Sequence, residues 1–146
     1  MIYIGSDHAG LPLKQTIKAH LESKKEKVID LGAFAVEPPT DYPVIAHEVA
    51  EKVQEGVSNK GILVCGTGIG MCMAANKTPG IRGANCESTG TVEMSRKHND
   101  SNILCLGGRV LEEKLALEMV DKFLETAFEK EDRHVRRVKA IDKISK

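Results

Sequence analysis

The chain has 146 residues, within the usual size of one domain that buries a core without disulfide or metal staples. Lys plus Arg total 21 and Asp plus Glu total 21, so no net field draws the chain to nucleic acid or to an anionic membrane, and any anion site must be built locally. The start MIYIGSDHAG turns polar too early for a secretory leader, no apolar run nears the roughly 18 residues of a membrane span, and Cys65, Cys72, Cys86 and Cys105 form neither a C-x-x-C pair nor a zinc-type spacing, which together point to a reduced, cytoplasmic protein without a bound metal.

Short runs rich in Ile, Val and Leu alternate with longer segments of helical period, the pattern of strands and helices around a mostly parallel sheet. In chain order, residues 1–5 read as a strand and residues 11–24 as a helix, with Leu13, Ile17 and Leu21 on one face. Residues 28–31 form a short strand, and residues 32–42, with Pro38 and Pro39 and no periodicity, form a surface loop. A helix then starts near Pro43, striped by Ile45, Val49 and Val53. Residues 61–65 are the most continuous apolar run and belong at the centre of the sheet, where both faces are covered. A glycine run and a helix cut short by Lys77-Thr78-Pro79-Gly80 follow. Residues 81–86 and 102–106 are further strands, with helices over 92–97 and 111–128. The tail from Asp132 keeps Val135, Val138 and Ile141 at helical spacing despite its charge, which predicts a packed helix. The expected fold is α/β: a Rossmann-like three-layer sandwich of roughly five mostly parallel strands with a C-terminal helix, in a single domain over residues 1–146.

Ligands of open α/β sheets bind beyond the carboxyl ends of strands. Four such ends carry polar chemistry: Ser6-Asp7-His8, Cys65 with the glycines that follow it, Cys86-Glu87-Ser88, and Gly107-Gly108-Arg109. Gly66, Gly68 and Gly70 allow a tight turn that aims several N–H groups at a phosphate or a developing oxyanion, although such a run is also a purely structural turn. A dinucleotide site is disfavoured, even with Glu87 placed where a ribose-binding acid would lie, because the glycines run G-x-G-x-G and the helix after them is short. Cys65 is either a small core hydrophobe or a thiol whose thiolate those N–H donors stabilise, as a general base requires. Cys72, Cys86 and Cys105 read as core. His98-Asn99-Asp100 is either a capping turn or a polar site, and His8 stands in the same position after Asp7. Arg133, His134, Arg136 and Arg137 place cations on one helix, as a solvated face or an anion clamp. No assembled G-x-S-x-G, H-E-x-x-H or P-loop motif occurs.

Taken in order, GSDHAG, VIDLG, DYP at 41–43, CGTGIG running on to AANKTPGIR, SRKHND before NILCLGGRV, and RHVRRV span nearly the whole chain. This series resembles the type B ribose-5-phosphate isomerase family, which also contains galactose-6-phosphate isomerase subunits. The resemblance implies interconversion of ribose 5-phosphate and ribulose 5-phosphate in pentose phosphate metabolism, through an enediolate, with no metal and no cofactor. It implies active sites shared between two subunits of a homodimer or a dimer of dimers. By the same resemblance, Cys65 takes the proton from C2, the backbone of Gly66, Gly68, Ile69 and Gly70 holds the enediolate oxygens, and the Thr67 hydroxyl relays protons. His98 opens the sugar ring, while His8, Arg109, Arg133 and Arg137 hold the phosphate and Asp7 and Asn99 position hydroxyls.

Three positions depart from the family pattern. Gly90 stands where an aromatic residue is common, Glu131-Asp132 replaces Gly-Gly, and Met71-Cys72 replaces an apolar-plus-serine pair. These bear on substrate preference, while the Cys65 loop and His98-Asn99-Asp100 favour the ribose branch over the galactose one. Two other readings stay open: an isomerase of another sugar phosphate such as allose 6-phosphate, and a nucleotide- or phosphate-binding α/β module without turnover.

Overall fold

The computed structural model describes residues 1–143. Five strands, β1 (Ile2–Ser6), β2 (Val28–Asp30), β3 (Lys60–Cys65), β4 (Gly83–Asn85) and β5 (Ile103–Gly107), form one sheet in the order β2-β1-β3-β5-β4. All four pairings are parallel. Six helices connect and follow them: α1 (Leu11–Ser23), α2 (Tyr42–Gln54), α3 (Ile69–Ala75), α4 (Thr89–Asn99), α5 (Glu113–Glu125) and α6 (Asp132–Asp142). Among these, no helix is long and apolar enough to cross a membrane.

The apolar content of β3 and β5 has a direct cause in this layering. Ile62, Val64, Leu104 and Leu106 pack against Ile17, Leu21, Met119 and Phe123 of α1 and α5 on one face. Leu63, Ile103 and Cys105 meet Val49, Val53, Met71 and Ala75 of α2 and α3 on the other. Alternate residues point to opposite faces, and both faces are dry, so polar alternation disappears from these central strands. The edge strands β2 and β4 are shorter and only partly buried.

Chain order reverses direction across the sheet between β1 and β3: β2 lies outside β1, and the chain then crosses to β3 on β1's other side. That switch point at the carboxyl edge is the place at which open parallel sheets bind ligands. The helices that link one strand to the next run back from the carboxyl edge, so α4 starts there after β4 and ends at the amino edge before β5.

Several element boundaries differ from those read in the sequence, each for a local reason. Within 81–86 only Gly83–Asn85 pairs as a strand, because Ile81 closes a turn onto the Thr78 carbonyl. In place of 111–128, α5 is shorter at both ends: Leu111 folds onto Gly107, and Thr126 leaves helical geometry with its carbonyl held by the Arg96 guanidinium at 3.1 Å. The C-terminal helix buries His134 and Val138, and Ile141 is 54% exposed, so its inward column is not the Val135, Val138, Ile141 stripe.

One fully buried cation fixes the loop that follows β2. Lys14 of α1 donates to Asp30 at 2.7 Å and to the Ala33 carbonyl, and Asp30 also accepts the Gly32 N–H at 3.0 Å. Burial pulls the Lys14 ammonium below the usual lysine value, against the opposing hydrogen bond and charge of Asp30. Removing the carboxylate leaves that ammonium dry, with the Ala33 carbonyl but without its counter-ion. Asp30→Ala is therefore expected to lose about 3–5 kcal/mol of unfolding free energy, whereas Lys14→Met combined with Asp30→Asn loses much less. Urea unfolding of the three proteins checks the order.

Candidate active site

At the carboxyl edge three strand ends close on one another. The Asp7 carboxylate accepts the Gly10 N–H at 2.9 Å, which folds the end of β1 back into the start of α1. A Cβ at Gly10 would lie 2.1 Å from the Val64 carbonyl oxygen, so the segment 7–10 touches β3 directly. From β5, the N–H groups of Gly108 and Arg109 donate to the carbonyls of Cys65 and Gly66 at 2.8 and 3.0 Å. The Arg109 side chain lies over Gly66, its Nη1 3.6 Å from where a Cβ would stand. His8 accepts the Thr40 N–H through Nδ1 at 3.3 Å, so the neutral ring carries its proton on Nε2.

Cys65 is the last residue of β3 and is buried, and its Sγ accepts the Gly68 N–H at 3.1 Å. Gly68 makes this contact from a left-handed conformation (φ 81°), in which a Cβ would meet Asn85 Oδ1 at 2.8 Å and the Leu106 carbonyl carbon at 2.9 Å. Next to it, the exposed Thr67 hydroxyl accepts the Ile69 N–H at 3.3 Å. The first N–H groups of a helix have no intrahelical partner, and those of Gly70 and Met71 at the start of α3 remain as donors beside the sulfur. Tyr42 lies against this turn, its ring 2.7 Å from a Cβ built at Gly70.

A second group gathers at the amino edge. His98 and Asn99 end α4, and Asp100 terminates it in a left-handed conformation while its carboxylate takes Arg96 at 2.8 Å and Arg82 at 3.2 Å. Arg82 also holds Asp142, the last residue of α6, at 2.9 Å. The buried His134 of α6 stacks on His98 with ring centroids 4.5 Å apart. Arg133 and Arg137 of the same helix are exposed, and Arg133 Nε is paired with Glu131 at 3.0 Å. A six-residue strand spans roughly 20 Å, so in one chain this group lies about the full depth of the sheet away from Cys65.

The model of the family described as Ribose/Galactose Isomerase matches residues 2–141. The chain belongs to the ribose/galactose isomerase family. Ribose-5-phosphate isomerase B of Escherichia coli (strain K12) is 45% identical over 143 residues, covering 98% of this chain and 95% of that protein. A D-erythrulose-4-phosphate isomerase of Pectobacterium atrosepticum is 40% identical over 128 residues, covering 88% of this chain and 84% of that one. The crystal structure of ribose-5-phosphate isomerase B from Mycoplasma genitalium with bound ribulose-5-phosphate superposes with a TM-score of 0.92 at 42% identity, covering 97% of this chain and 93% of that one.

Within this ribose/galactose isomerase fold, the residues singled out in the sequence fall into two sets. The structure brings together Asp7, His8, Cys65, Thr67, Arg109 and the turn at 66–70, and it sets His98, Asn99, Arg133 and Arg137 apart at the other edge. Cys86 and Cys105 are buried in the core, as their apolar neighbourhoods suggest, while Cys72 is half-buried. A hydrogen bond with Cys72, and then burial, push the Cys105 thiol well above its usual value, and the same bond holds Cys72 down to about 7. Sequence reading gave no part to Thr40 or Asn85, which have no motif around them, and Tyr42 was legible only as part of DYP.

Two glycines of the turn separate geometric need from tolerance. Gly68→Ala is expected to lose about 1–3 kcal/mol of stability, the range for a non-glycine residue forced into strained backbone, and to pull the N–H off the sulfur. Gly66→Ala, whose Cβ meets nothing closer than 3.6 Å, should leave stability within about 0.5 kcal/mol of the parent. Equilibrium denaturation of the two variants reads the difference.

Proposed function

We propose that this chain is a single aldose–ketose isomerase domain that interconverts ribose 5-phosphate and ribulose 5-phosphate without a metal or cofactor. The observation that carries the reading is the Gly68 N–H on Cys65 Sγ at the topological switch point. The Cys65 thiolate takes the proton from C2 of the open-chain aldose and returns it to C1. Between those two transfers the negative charge rests on an enediolate, and the unpaired N–H groups at the start of α3 stabilise it where it develops. The Thr67 hydroxyl, exposed beside the sulfur, moves the proton between the two oxygens.

The Asp7 carboxylate oxygen not bound to Gly10 orients a sugar hydroxyl, and His8 Nε2–H and Arg109 offer donors to the phosphate. Ring opening and the remaining phosphate contacts need His98, Asn99, Arg133 and Arg137, which one chain holds too far from Cys65. A second copy of the chain brings them, so the working unit is a homodimer or a dimer of dimers with sites built from both partners. As a sugar-phosphate enzyme of central carbohydrate metabolism, it would work in the cytoplasm.

Glu131 modulates this clamp. By pairing with Arg133 it competes with the substrate phosphate, where the more usual family pattern has glycine. The pair is more than half exposed on both sides and therefore yields readily to a dianion. Gly90 leaves open space, with Ser88 Oγ the nearest atom at 3.9 Å from a built Cβ.

The test is turnover of ribose 5-phosphate with excess chelator, in the parent and in Cys65→Ala. The parent is expected to keep its rate, and the variant to remain folded, to bind the sugar phosphate, and to lose at least about a hundredfold in kcat, the lower end for a positioned general base. Near-parental turnover in Cys65→Ala would remove the thiol from the chemistry. No turnover in the parent would leave a phosphate-binding module.

A further inference from the structure

His98, Glu129 and His134 come together where the segment between α5 and α6 passes the end of α4, with one nitrogen or carboxylate oxygen from each lying within 4.8 Å of the others. The Glu129 N–H donates to the Lys97 carbonyl at 3.0 Å, which anchors this segment to the last turn of α4. His134 is 3% exposed, and its Nε2 is buried without a hydrogen-bond partner. The two atoms nearest to it in charge terms are carboxylate oxygens of Glu129 at 3.9 Å and Glu131 at 4.0 Å, both beyond hydrogen-bond reach. A buried imidazole nitrogen left unpaired between carboxylates is a costly arrangement for a side chain that has no ligand.

We propose that His98, Glu129 and His134 form a binding site for a zinc-like divalent transition-metal ion. Two imidazoles and one carboxylate are the donors of a zinc-type site, with bonds of about 2.0–2.2 Å and a fourth position open to water. Tetrahedral ligands at those bond lengths stand roughly 3.3 Å apart, so the three atoms must draw in by at most about 1.5 Å. The means are present. Glu129 lies outside any helix, and His98 sits half-buried on the last turn of α4. The imidazole planes are now stacked at 14°, and lone pairs lying in parallel planes do not converge on one ion, so the ion binds as His98 turns out of the stack and points its nitrogen at the same centre as His134. Asp132 and Glu131 at the start of α6 add negative charge on this side, and Lys97 and Arg133 oppose it, with Lys97 already paired to Glu93 at 2.6 Å and Arg133 to Glu131 at 3.0 Å.

The consequence rests on the isomerase reading above: an ion that holds His98 removes the residue assigned to ring opening, so the site is inhibitory and the enzyme is shut off by zinc and restored by a chelator. No step of the isomerisation passes through the metal. Occupancy instead reports free metal to the rate at which closed-ring aldose is consumed.

The experiment titrates the chelator-stripped full-length chain with Zn²⁺ by calorimetry and with Co²⁺ by visible absorption, both without substrate. One ion per chain is expected, with d–d bands of a four-coordinate nitrogen and oxygen site. Glu129→Gln should weaken binding at least about tenfold, the lower range for losing a supporting partner and a minimum for losing a ligand. Zn²⁺ should then inhibit aldose turnover of the parent reversibly, while Glu129→Gln keeps the parent's metal-free rate and resists the same Zn²⁺ concentration. Absence of binding, binding equal in Glu129→Gln, or a sulfur-to-cobalt charge-transfer band placing the ion on a thiol would each overturn the site. Binding with no loss of turnover would overturn its inhibitory role. Because the titrations need no substrate, a chain that binds the ion and never isomerises ribose 5-phosphate would contradict the functional reading and leave the metal site standing.

Discussion

Every strand of this sheet points the same way, and that single constraint sorts the chemistry of the molecule. Residues that follow strands gather at the carboxyl edge, and residues that end the returning helices gather at the amino edge. Because β1 and β3 are neighbours whose connections leave on opposite sides, Asp7, His8 and the Cys65 turn meet where these two strands end, the place at which open parallel sheets bind ligands. Because α4 runs from one edge to the other, His98 ends on the far side of the same sheet. The fold therefore places two groups of polar side chains at opposite edges of the sheet.

Buried or half-buried cations hold each edge in shape. At the carboxyl side, Lys14 ties α1 to Asp30 and to the backbone of the following loop, from which Thr40 reaches His8. On the amino side, Arg96 gathers Asp100, the Ser101 carbonyl and the Thr126 carbonyl, and Arg82 joins Asp100 to Asp142. These guanidinium contacts fix the turn after His98 and the seat of α6. A delocalised planar cation can satisfy several carbonyls and carboxylates at once, which a compact ammonium does less well. Several side chains at the carboxyl edge also hold backbone in place: Asp7 caps the turn into α1, His8 accepts the Thr40 N–H and Thr67 the Ile69 N–H.

Much of this was legible in the sequence because it rests on local pattern. The runs in β1, β3 and β5 and the four-residue stripes of α1 and α2 follow directly from burial on a sheet and on helix faces. The turn at 66–70 was legible because backbone at φ 81° has a chemical signature, glycine. The rest is tertiary. The strand β4 is short because it pairs on one side only, with β5, and no residue of 81–86 announces that. His134 reads as a surface cation among arginines, and its burial comes from the ring of His98, thirty-odd residues earlier in the chain. Spacing along the chain likewise carries no sign that Cys65 and His98 stand at opposite edges, nor that Glu129 meets two histidines.

The central claim is that the reaction needs both groups and that they come from different chains. Cofolding equal amounts of a Cys65→Ala chain and a His98→Asn chain tests it directly, since each variant alone is deficient at every site. If the sites are shared, random pairing makes half of the dimers mixed, and one of the two sites in each mixed dimer carries neither substitution, so the mixture should recover about a quarter of parental turnover of ribose 5-phosphate. If instead all the residues act within one chain, every site keeps one lesion, and the mixture will stay at the level of the two parents mixed without cofolding.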